Sequence, residues 1–410
     1  MLRIINSTAR RMQRFGFLKY LVASTSSQRP SSAITIGRAL LNAVSHKFPS
    51  NLNPNIKKYC DLVFSEQHYS ALRSQIQKAE FQQSSGQIEL ELQDIYLSQD
   101  ILPSHRGRII SEKEKDIYVF PTLAVSLGLL TPETFILTSR GRLFSHTVLP
   151  NEIKAFNRLS DINPLVISPR QTMVLLFSFL EADGDLINML YPAILNKRDE
   201  FTDYDIGDII GEQLADFLIQ LEKSVSSIKD KNEIYKLKKT AVKIKSWNNK
   251  KYKGLGIRDE WATLRLEPFV DMGLLKKTDK FAYKYAFSEN GRGFFSYFPP
   301  GQTIDTFLKD KFISASSQLF GIQVSPATDP VQILTSLKEA NRILANNIGY
   351  SDITDTALLA SMNLLHSSNA LLEIRDSILV LKDAQKKNPH DIHFNIDRWG
   401  NLKFISFRRL

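Results

Sequence analysis

The chain has 410 residues, of which 43% are hydrophobic and 23% are charged, a composition that argues against wholesale disorder. Its length exceeds that of one ordinary core and predicts two to four compact units. The net charge is +10, and the single cysteine, Cys60, excludes an intrachain disulfide framework and a zinc site made of several cysteines.

The positive charge is concentrated at the N-terminus. Residues 1–60 contain ten Lys or Arg and no acidic residue, whereas residues 61–410 contain 43 basic and 43 acidic residues. Residues 1–32 are also rich in Ser and Thr. Three interpretations of this segment stay open: a mitochondrial transit peptide, a basic arm that contacts phosphates, and an ordinary first helix of the fold.

We expect the ordinary helix, because large apolar side chains cluster within the segment. A helix of the fold would bury this cluster against residues 35–80 and leave Arg10, Arg11 and Arg14 facing solvent or phosphate. A cleaved peptide would need no partner for the cluster. Its members are Phe15, Phe17, Leu18, Tyr20 and Leu21.

Hydrophobic periodicity along the rest of the chain predicts a mainly α fold with small β-hairpins. The best candidate for a membrane span, Thr172 to Leu180, has only nine residues and is expected to be buried core. Helices are expected over 33–80, 170–182, 206–247, 331–348 and 354–387, a strand or short helix over 87–97, and a β-hairpin over 393–407.

These elements divide the chain into five regions. A linker over 299–330 is expected from Pro299-Pro300-Gly301 and two further prolines. The regions are a basic N-terminal helical region (1–98), a first unit (99–200), a second unit with a long Lys-rich helix (201–298), the linker, and C-terminal helices with a β-hairpin (331–410).

Two stretches, residues 126–144 and 271–295, share one pattern. Each contains a glycine followed by two leucines, a short polar turn, an apolar strand, a hydroxyl residue and then Gly-Arg. The first glycine is expected to end a helix in the left-handed conformation, and the hydroxyl residue to cap the next helix. The glycines are Gly128 and Gly273, and the capping residues are Thr138 and Ser288.

This pattern resembles the end of a winged helix-turn-helix domain of the bacterial regulator type. There, a helix that ends in a Gly-Leu-hydrophobic triplet is followed by a β-wing and a closing helix. The resemblance covers about 30 residues in each copy, under a fifth of the chain. It implies two winged-helix-like units. The second wing would be cationic and suited to phosphates, whereas the first, Thr131 to Thr134, is short and acidic and suits a structural or protein-binding role.

The helix before each glycine departs from that family. Residues 258–271 carry two basic and four acidic residues and contain Pro268, and Pro121 lies in the corresponding place of the first copy. A helix of this kind is a poor reader of the major groove, so base-specific recognition is not expected from it.

Residues 229–253 contain ten Lys, no Arg and two acids. This composition predicts non-specific phosphate contact, and a solvated helix end is the alternative. The candidate nucleic-acid-binding residues are Lys243, Lys245, Lys250, Lys251, Lys253, Lys276, Lys277, Lys280, Lys284 and Arg292.

Catalytic motifs are missing from the sequence: no Walker loop, dinucleotide fingerprint, H-E-x-x-H or G-x-S-x-G occurs. The acidic turn at residues 181–185 is more typical of an exposed loop, and the group of His390, His393 and Asp397 is more typical of a helix–strand junction than of a metal site. No catalytic residue, metal or cofactor is therefore predicted.

The predicted function is that of a non-enzymatic DNA- or RNA-binding accessory or regulatory subunit, with other protein subunits as partners and no membrane contact. Analogy of fold suggests a prokaryotic antiviral-defence or DNA-processing complex. A protein-interaction scaffold and a divergent metal-dependent nuclease are the alternatives. The expected location is the cytoplasm, and the transit-peptide alternative would imply the mitochondrion.

Overall fold

The computed structural model describes residues 15–25, 29–45, 119–157, 166–196, 199–224, 231–232, 234–239, 261–279, 284–298, 303–397 and 402–408. Within these ranges the chain is mainly helical with small groups of strands, most of them antiparallel, as predicted. None of the helices described there combines the length and the apolar character needed to cross a membrane.

The helices alternate with very short strands. The helices include α1 (Phe17–Ser24), α2 (Ala33–Ser45), α3 (Val119–Ser126), α4 (Ser139–His146), α5 (Pro150–Asn157), α6 (Pro169–Leu195), α7 (Asp203–Ser224), α8 (Thr263–Asp271), α9 (Glu289–Phe295), α10 (Ile304–Asp310), α11 (Phe312–Leu319), α12 (Pro330–Leu344), α13 (Ile353–Ser368) and α14 (Ile374–Lys387). The strands include β1 (Glu200–Thr202), β2 (Leu275–Asp279), β3 (Lys284–Phe287), β4 (Ser325–Pro326), β5 (Ser351–Asp352), β6 (Ala370–Leu371), β7 (Ile392–Ile396) and β8 (Leu402–Phe407).

Helix α6 lies at the centre of the core. Ser168 and Gln171 cap its start reciprocally, each side chain accepting a hydrogen bond from the other residue's backbone N–H. All side chains of residues 172–180 are buried, which confirms the predicted core segment.

The acidic residues 181–185 continue α6 instead of forming the expected exposed loop. Asp183 is fully buried, and its carboxylate lies 2.8 Å from the guanidinium of Arg265. A Cβ on Gly184 would lie 2.5 Å from the side chain of Ile304. Burial by partners distant in sequence therefore overrides the polar character of this segment.

The N-terminal apolar cluster is buried, as predicted. Phe15, Phe17, Leu18 and Leu21 are at most 1% exposed, and Tyr20 is partly buried. Helix α1 packs on α2, α3, α4 and α5, so the predicted contact with residues 35–80 is only part of the surface that covers it. Residues 46–80 and the three arginines Arg10, Arg11 and Arg14 lie outside the described residues.

Lys19 is also buried within α1, at 0% exposure. Its ammonium lies 2.7 Å from a carboxylate oxygen of Glu152 and 2.7 Å from the carbonyl of Val166. The other Glu152 oxygen accepts from the side chain of Gln171 at 2.9 Å. This basic residue therefore joins α1 to α5 and to the start of α6.

The repeated glycines end their helices in the predicted way. Gly128 has φ +68° and Gly273 has φ +75°. In each copy the leucine after the glycine donates its N–H to the carbonyl five residues earlier, and the glycine donates to the carbonyl three residues earlier. This is the hydrogen-bond pattern of a Schellman C-cap.

In each copy, the predicted capping hydroxyl forms a hydrogen bond with the glycine that ends the preceding helix. Thr138 Oγ1 donates to the Gly128 carbonyl, and Ser288 Oγ donates to the Gly273 carbonyl at 2.7 Å. Each hydroxyl also accepts from a glycine N–H three residues later, at 2.9 Å, and so caps α4 or α9. The copies differ in the stretch between the glycine and the capping hydroxyl. In the second copy this stretch forms the β2–β3 hairpin, and in the first it has a single bridge between Leu130 and Leu137.

Residues 304–319, expected within a linker, form α10 and α11 and pack into the core. The carboxylate of Glu373 accepts from the backbone N–H groups of Ile313 and Ser314 at 3.0 and 2.9 Å. A residue about 60 positions away thus caps the start of α11. The composition of residues 304–319 gives no indication of this contact.

The long helix predicted over 354–387 is divided into α13 and α14. Asn369 ends α13 in the left-handed conformation, with φ +51°. The residues that follow form β6, which pairs in parallel with β4 through Ser325–Ala370 and Pro326–Leu371. The predicted C-terminal hairpin is present as β7 and β8, and its turn lies outside the described residues.

Two three-stranded sheets share one strand order. Strand β3 lies between β1 and β2, and β8 lies between β5 and β7, all antiparallel. In each case a helix precedes the first strand, and helices lie between that strand and the hairpin. The described helices include α6, α7 and α8 around the β1–β3–β2 sheet, where residues 231–232 and 234–239 are also helical, and α12, α13 and α14 around the β5–β8–β7 sheet.

We predict that Gly291→Ala lowers the free energy of unfolding by about 1–3 kcal/mol, the usual range for overpacking. A Cβ on Gly291 would lie 1.9 Å from the backbone oxygen of Leu274, which cannot move without disturbing the cap. Gly293→Ala in the same helix is the control, because its Cβ would lie 3.4 Å from the flexible Gln318 side chain. Urea unfolding should give the two variants different free energies of unfolding. Equal stabilities would contradict the claim that the Leu274 carbonyl leaves no room for a Cβ on Gly291.

Candidate nucleic-acid interface

The β1–β3–β2 sheet projects lysines from one face. Lys276 pairs with Ala286, which pairs on its other side with Glu200, and Lys284 pairs with Thr202. Paired residues share a face, and so do residues two positions apart along a strand. Lys276 and Lys284 therefore lie on the same face, and both are exposed.

The opposite face of this sheet belongs to the core. Because side chains alternate along a strand, a slip of one residue in register would bury the lysines. The apolar pattern that builds the core therefore also keeps the cations at the surface. The core side chains are Phe201, Leu275, Tyr285 and Phe287, each at most 5% exposed.

Arg292 lies next to this sheet, on α9. Its guanidinium is 3.3 Å from Asp199, which precedes β1, and 5.6 Å from the ring centroid of Phe287. The side chain of Arg292 is 47% exposed and that of Asp199 is 99% exposed. An ion pair this exposed holds the guanidinium weakly, so Arg292 is free to exchange its partner for a phosphate.

Helix α8, which precedes the hairpin, is inaccessible to a ligand along most of its described surface. Arg265 is fully buried against Asp183, and Glu267 accepts a hydrogen bond of 2.7 Å from the buried hydroxyl of Tyr285. Leu266 and Phe269 are also fully buried. Arg265 and Glu267 of α8 therefore have their partners inside the core.

The Lys-rich segment is described only in part. Residues 231–232 and 234–239 are helical, with Ile234 and Leu237 buried and Lys231, Lys236 and Lys239 exposed. The ammonium of Lys239 lies 4.7 Å from the ring centroid of Tyr235. Lys277 lies in β2, and its side chain is not described. The other predicted residues lie outside the described ranges: Lys243, Lys245, Lys250, Lys251, Lys253 and Lys280.

A second surface, not identified from the sequence, is formed by α14 and the β7–β8 hairpin. The charges on α14 are partly paired, since Arg375 lies 2.7 Å from Asp310 and Lys386 lies 3.6 Å from Asp383. Two large apolar side chains on these elements are exposed, Leu379 of α14 at 50% and Ile396 of β7 at 58%. Asn369, a residue type that tolerates the left-handed turn between α13 and α14, could have revealed that α14 is a separate helix.

Helix α4 meets α13 through a buried charged network. The guanidinium of Arg140 donates to the carboxylate of Asp355, lies 3.2 Å from Glu181, and lies 4.6 Å from the ring centroid of Phe177. Asp352 caps α13 by accepting from the N–H groups of Thr354 and Asp355. The three carboxylates thus share one cation.

This crowding of carboxylates changes their protonation. Burial and the neighbouring charge of Asp355 raise the pKa of Asp352 to about 7. Burial also raises the pKa of Asp355, although the Arg140 charge opposes the shift. Shifted carboxylates occur in catalytic sites as well as in structural networks. Here their oxygens serve a helix cap and an ion pair, which indicates a structural role.

No group of three His, Cys, Asp or Glu side chains suited to a metal ion occurs among the residues that the structure describes. The chain matches no protein-family model, no curated protein and no solved structure at the significance required.

We predict that Asp352→Asn reduces the loss of stability between pH 5.5 and pH 8. A carboxyl whose folded pKa lies above its unfolded value loses stabilising protonation as pH rises through that interval. Asn keeps the cap but does not titrate. Over this interval the difference between variant and wild type is at most about 2 kcal/mol, because about 1.5 pH units lie below the folded pKa of about 7 and one unit corresponds to about 1.4 kcal/mol.

The control for this experiment is Asp329→Asn, which alters the exposed N-cap of α12. Urea unfolding at both pH values provides the measurement. A stability difference between the two pH values that is the same in wild type and Asp352→Asn would contradict the raised pKa.

Proposed function

We propose that this chain binds duplex nucleic acid through phosphate contacts and acts as a non-enzymatic accessory subunit. The observation that carries the proposal is the exposed face of the β1–β3–β2 sheet, where Lys276 and Lys284 project together beside Arg292. Cations on a short hairpin can follow a phosphate backbone without penetrating a groove.

The order of elements supports the proposed resemblance to winged-helix domains. Around the β5–β8–β7 sheet, the described elements include a helix, a strand, two helices and a hairpin in that order, and the first strand pairs with the last. Around the β1–β3–β2 sheet the first strand also pairs with the last, and the described helical residues between it and the hairpin include α7, residues 231–232 and 234–239, and α8. We therefore propose a second complete unit of this kind at residues 330–408, in a region for which the sequence predicted only helices and a hairpin.

The chemistry of the β1–β3–β2 sheet suits recognition of nucleic-acid shape and charge and not of bases. Helix α8 keeps Arg265 and Glu267 inside the core. Lysine contributes a mobile point charge and does not impose the bidentate geometry with which arginine reads guanine. We expect binding that depends strongly on salt and little on sequence.

A protein-binding role for the C-terminal unit is the second candidate function. It is favoured by Leu379 and Ile396, which are at least half exposed on α14 and on the edge strand β7. Charges on α14 are partly neutralised by the pairs Arg375–Asp310 and Lys386–Asp383. Apolar exposure beside balanced charge is more typical of a protein interface than of a phosphate interface.

We predict that the double variant Lys276→Glu/Lys284→Glu binds a random 20-bp duplex about tenfold more weakly than wild type, a loss of about 1.4 kcal/mol. Two repulsive charges would replace two attractive ones at the phosphate backbone, whereas the folded structure should be unaffected because both side chains are exposed. Fluorescence anisotropy at low salt measures the affinity, and a thermal melt checks the fold.

The control is Lys311→Glu/Lys338→Glu, which changes the net charge equally at exposed positions on other elements. Equal affinity of the two double variants would show that general charge, and not the hairpin, drives binding. If wild type itself fails to bind the duplex at low salt, the nucleic-acid proposal fails and the protein-binding candidate takes its place.

A further inference from the structure

A cavity of about 240 Å³ lies where α4 meets the loop between α12 and β5, and we call it the Arg142 cavity. One wall comes from α4 and the rest from the loop. The lining residues are Arg142, Ala345, Asn346, Asn347 and Ile348. Cavities that hold drug-sized ligands measure about 300–1,000 Å³. The Arg142 cavity therefore suits a small molecule, or one end of a larger one.

The guanidinium of Arg142 is held in place by two backbone carbonyls. Its Nε donates to the Leu344 carbonyl at 2.9 Å, and its Nη1 donates to the Leu137 carbonyl at 3.2 Å. The Leu344 carbonyl belongs to the last turn of α12, so Arg142 also caps that helix. These two bonds orient the guanidinium before a ligand arrives, which lowers the entropic cost of binding.

Much of the hydrogen-bonding capacity of Arg142 is unused. A guanidinium has five N–H groups, and these two bonds use two of them, so three have no acceptor among the described residues. None of the described carboxylates forms an ion pair with Arg142. Asp355, whose charge acts on Arg142, is itself paired with Arg140. A half-buried cation without its own anion is stabilised when an anion binds.

The loop that completes the cavity is closed by its own hydrogen bonds. Asn346 Oδ1 accepts from the backbone N–H groups of Ile348 and Tyr350, at 3.1 and 3.0 Å. The Asn346 N–H donates to the Tyr350 carbonyl at 2.8 Å, and Gly349 takes the left-handed conformation with φ +87°. This turn holds the side chain of Ile348, which is 77% exposed, at the cavity. A large apolar side chain and a fixed cation therefore line the same small space.

We propose that the Arg142 cavity binds a carboxylate carried on a short aliphatic chain. The open N–H groups of Arg142 match the two oxygens of a carboxylate, and Ala345 and Ile348 offer apolar contacts to the chain. A single cation that already feels the charge of Asp355 favours a monoanion over a dianion. This inference is independent of the nucleic-acid proposal, because no residue of the cavity lies on the β1–β3–β2 sheet, and each has its own experiment.

Two sources carry this chemistry, a free branched-chain acid and the C-terminal residue of a peptide. Isocaproate represents the first source and N-acetyl-leucine the second. Their amides, isocaproamide and N-acetyl-leucinamide, have nearly the same shape and no charge. In NMR titrations of the full chain, we expect the acids to bind at least about tenfold more tightly than the amides, since charge-assisted hydrogen bonds are roughly twice as strong as neutral ones. The acid that binds more tightly identifies the source.

Two variants assign the binding to the cavity. Arg142→Gln should weaken binding of the acids at least about tenfold and leave the weak binding of the amides unchanged. Arg342→Gln is the matched control, because Arg342 is exposed on the last turn of α12 and does not line the cavity. Ile348→Ser should weaken binding of both acids about fourfold, the effect of one buried methylene group, and leave binding of acetate unchanged.

A thermal melt checks that each variant is folded. If Arg142→Gln fails to fold because α12 loses its cap, Ile348→Ser and the comparison of acids with amides in wild type decide the matter. Equal binding of acids and amides, or acid binding that folded Arg142→Gln leaves unchanged, would overturn the proposal. So would a wild type that binds neither acid at about 10 mM, since a preorganised guanidinium beside an apolar wall should reach millimolar affinity.

Discussion

In each repeated unit, a side-chain hydroxyl donates a hydrogen bond to the carbonyl of a left-handed glycine. The shape of the unit depends on this bond. In both copies the side chain donates to the carbonyl of the glycine that ends one helix and accepts from the first turn of the next. A second glycine, Gly141 or Gly291, must lack a Cβ because the leucine carbonyl of the joint lies within about 2 Å of where that atom would be. The hydroxyl's hydrogen bonds and the close approach at the second glycine therefore fix the angle between consecutive helices. The loop between these helices can vary in length.

This freedom of loop length separates the roles of the two copies. The first spans the joint with one bridge and a tight turn, in which Glu133 and Phe135 have positive φ angles. In the second copy the corresponding stretch forms β2 and β3, and β1 pairs with β3 to complete a sheet. Only the second copy therefore gains a surface on which lysines can project. The helix that precedes it stays in the core, because Arg265 and Glu267 satisfy Asp183 and Tyr285 there.

The features that the sequence predicted well depend on local chemistry. The left-handed glycines, the capping hydroxyls, the apolar run of α6 and the C-terminal hairpin each follow from residues within a few positions of one another. The features that it missed depend on distant partners. Asp183 lies within a helix because Arg265 neutralises it, α11 begins where Glu373 caps it, and α13 ends where β6 pairs with β4.

The central claim, that the chain contacts phosphates through cations on the β2–β3 hairpin, is tested most directly by the salt dependence of duplex binding. For three phosphate contacts, by Lys276, Lys284 and Arg292, the logarithm of the association constant should fall with the logarithm of salt concentration at a slope of about −3, or more steeply if the Lys-rich segment takes part. Affinities for several duplexes of unrelated sequence should follow the same line. A slope near zero, or binding confined to one duplex sequence at all salt concentrations, would contradict the account.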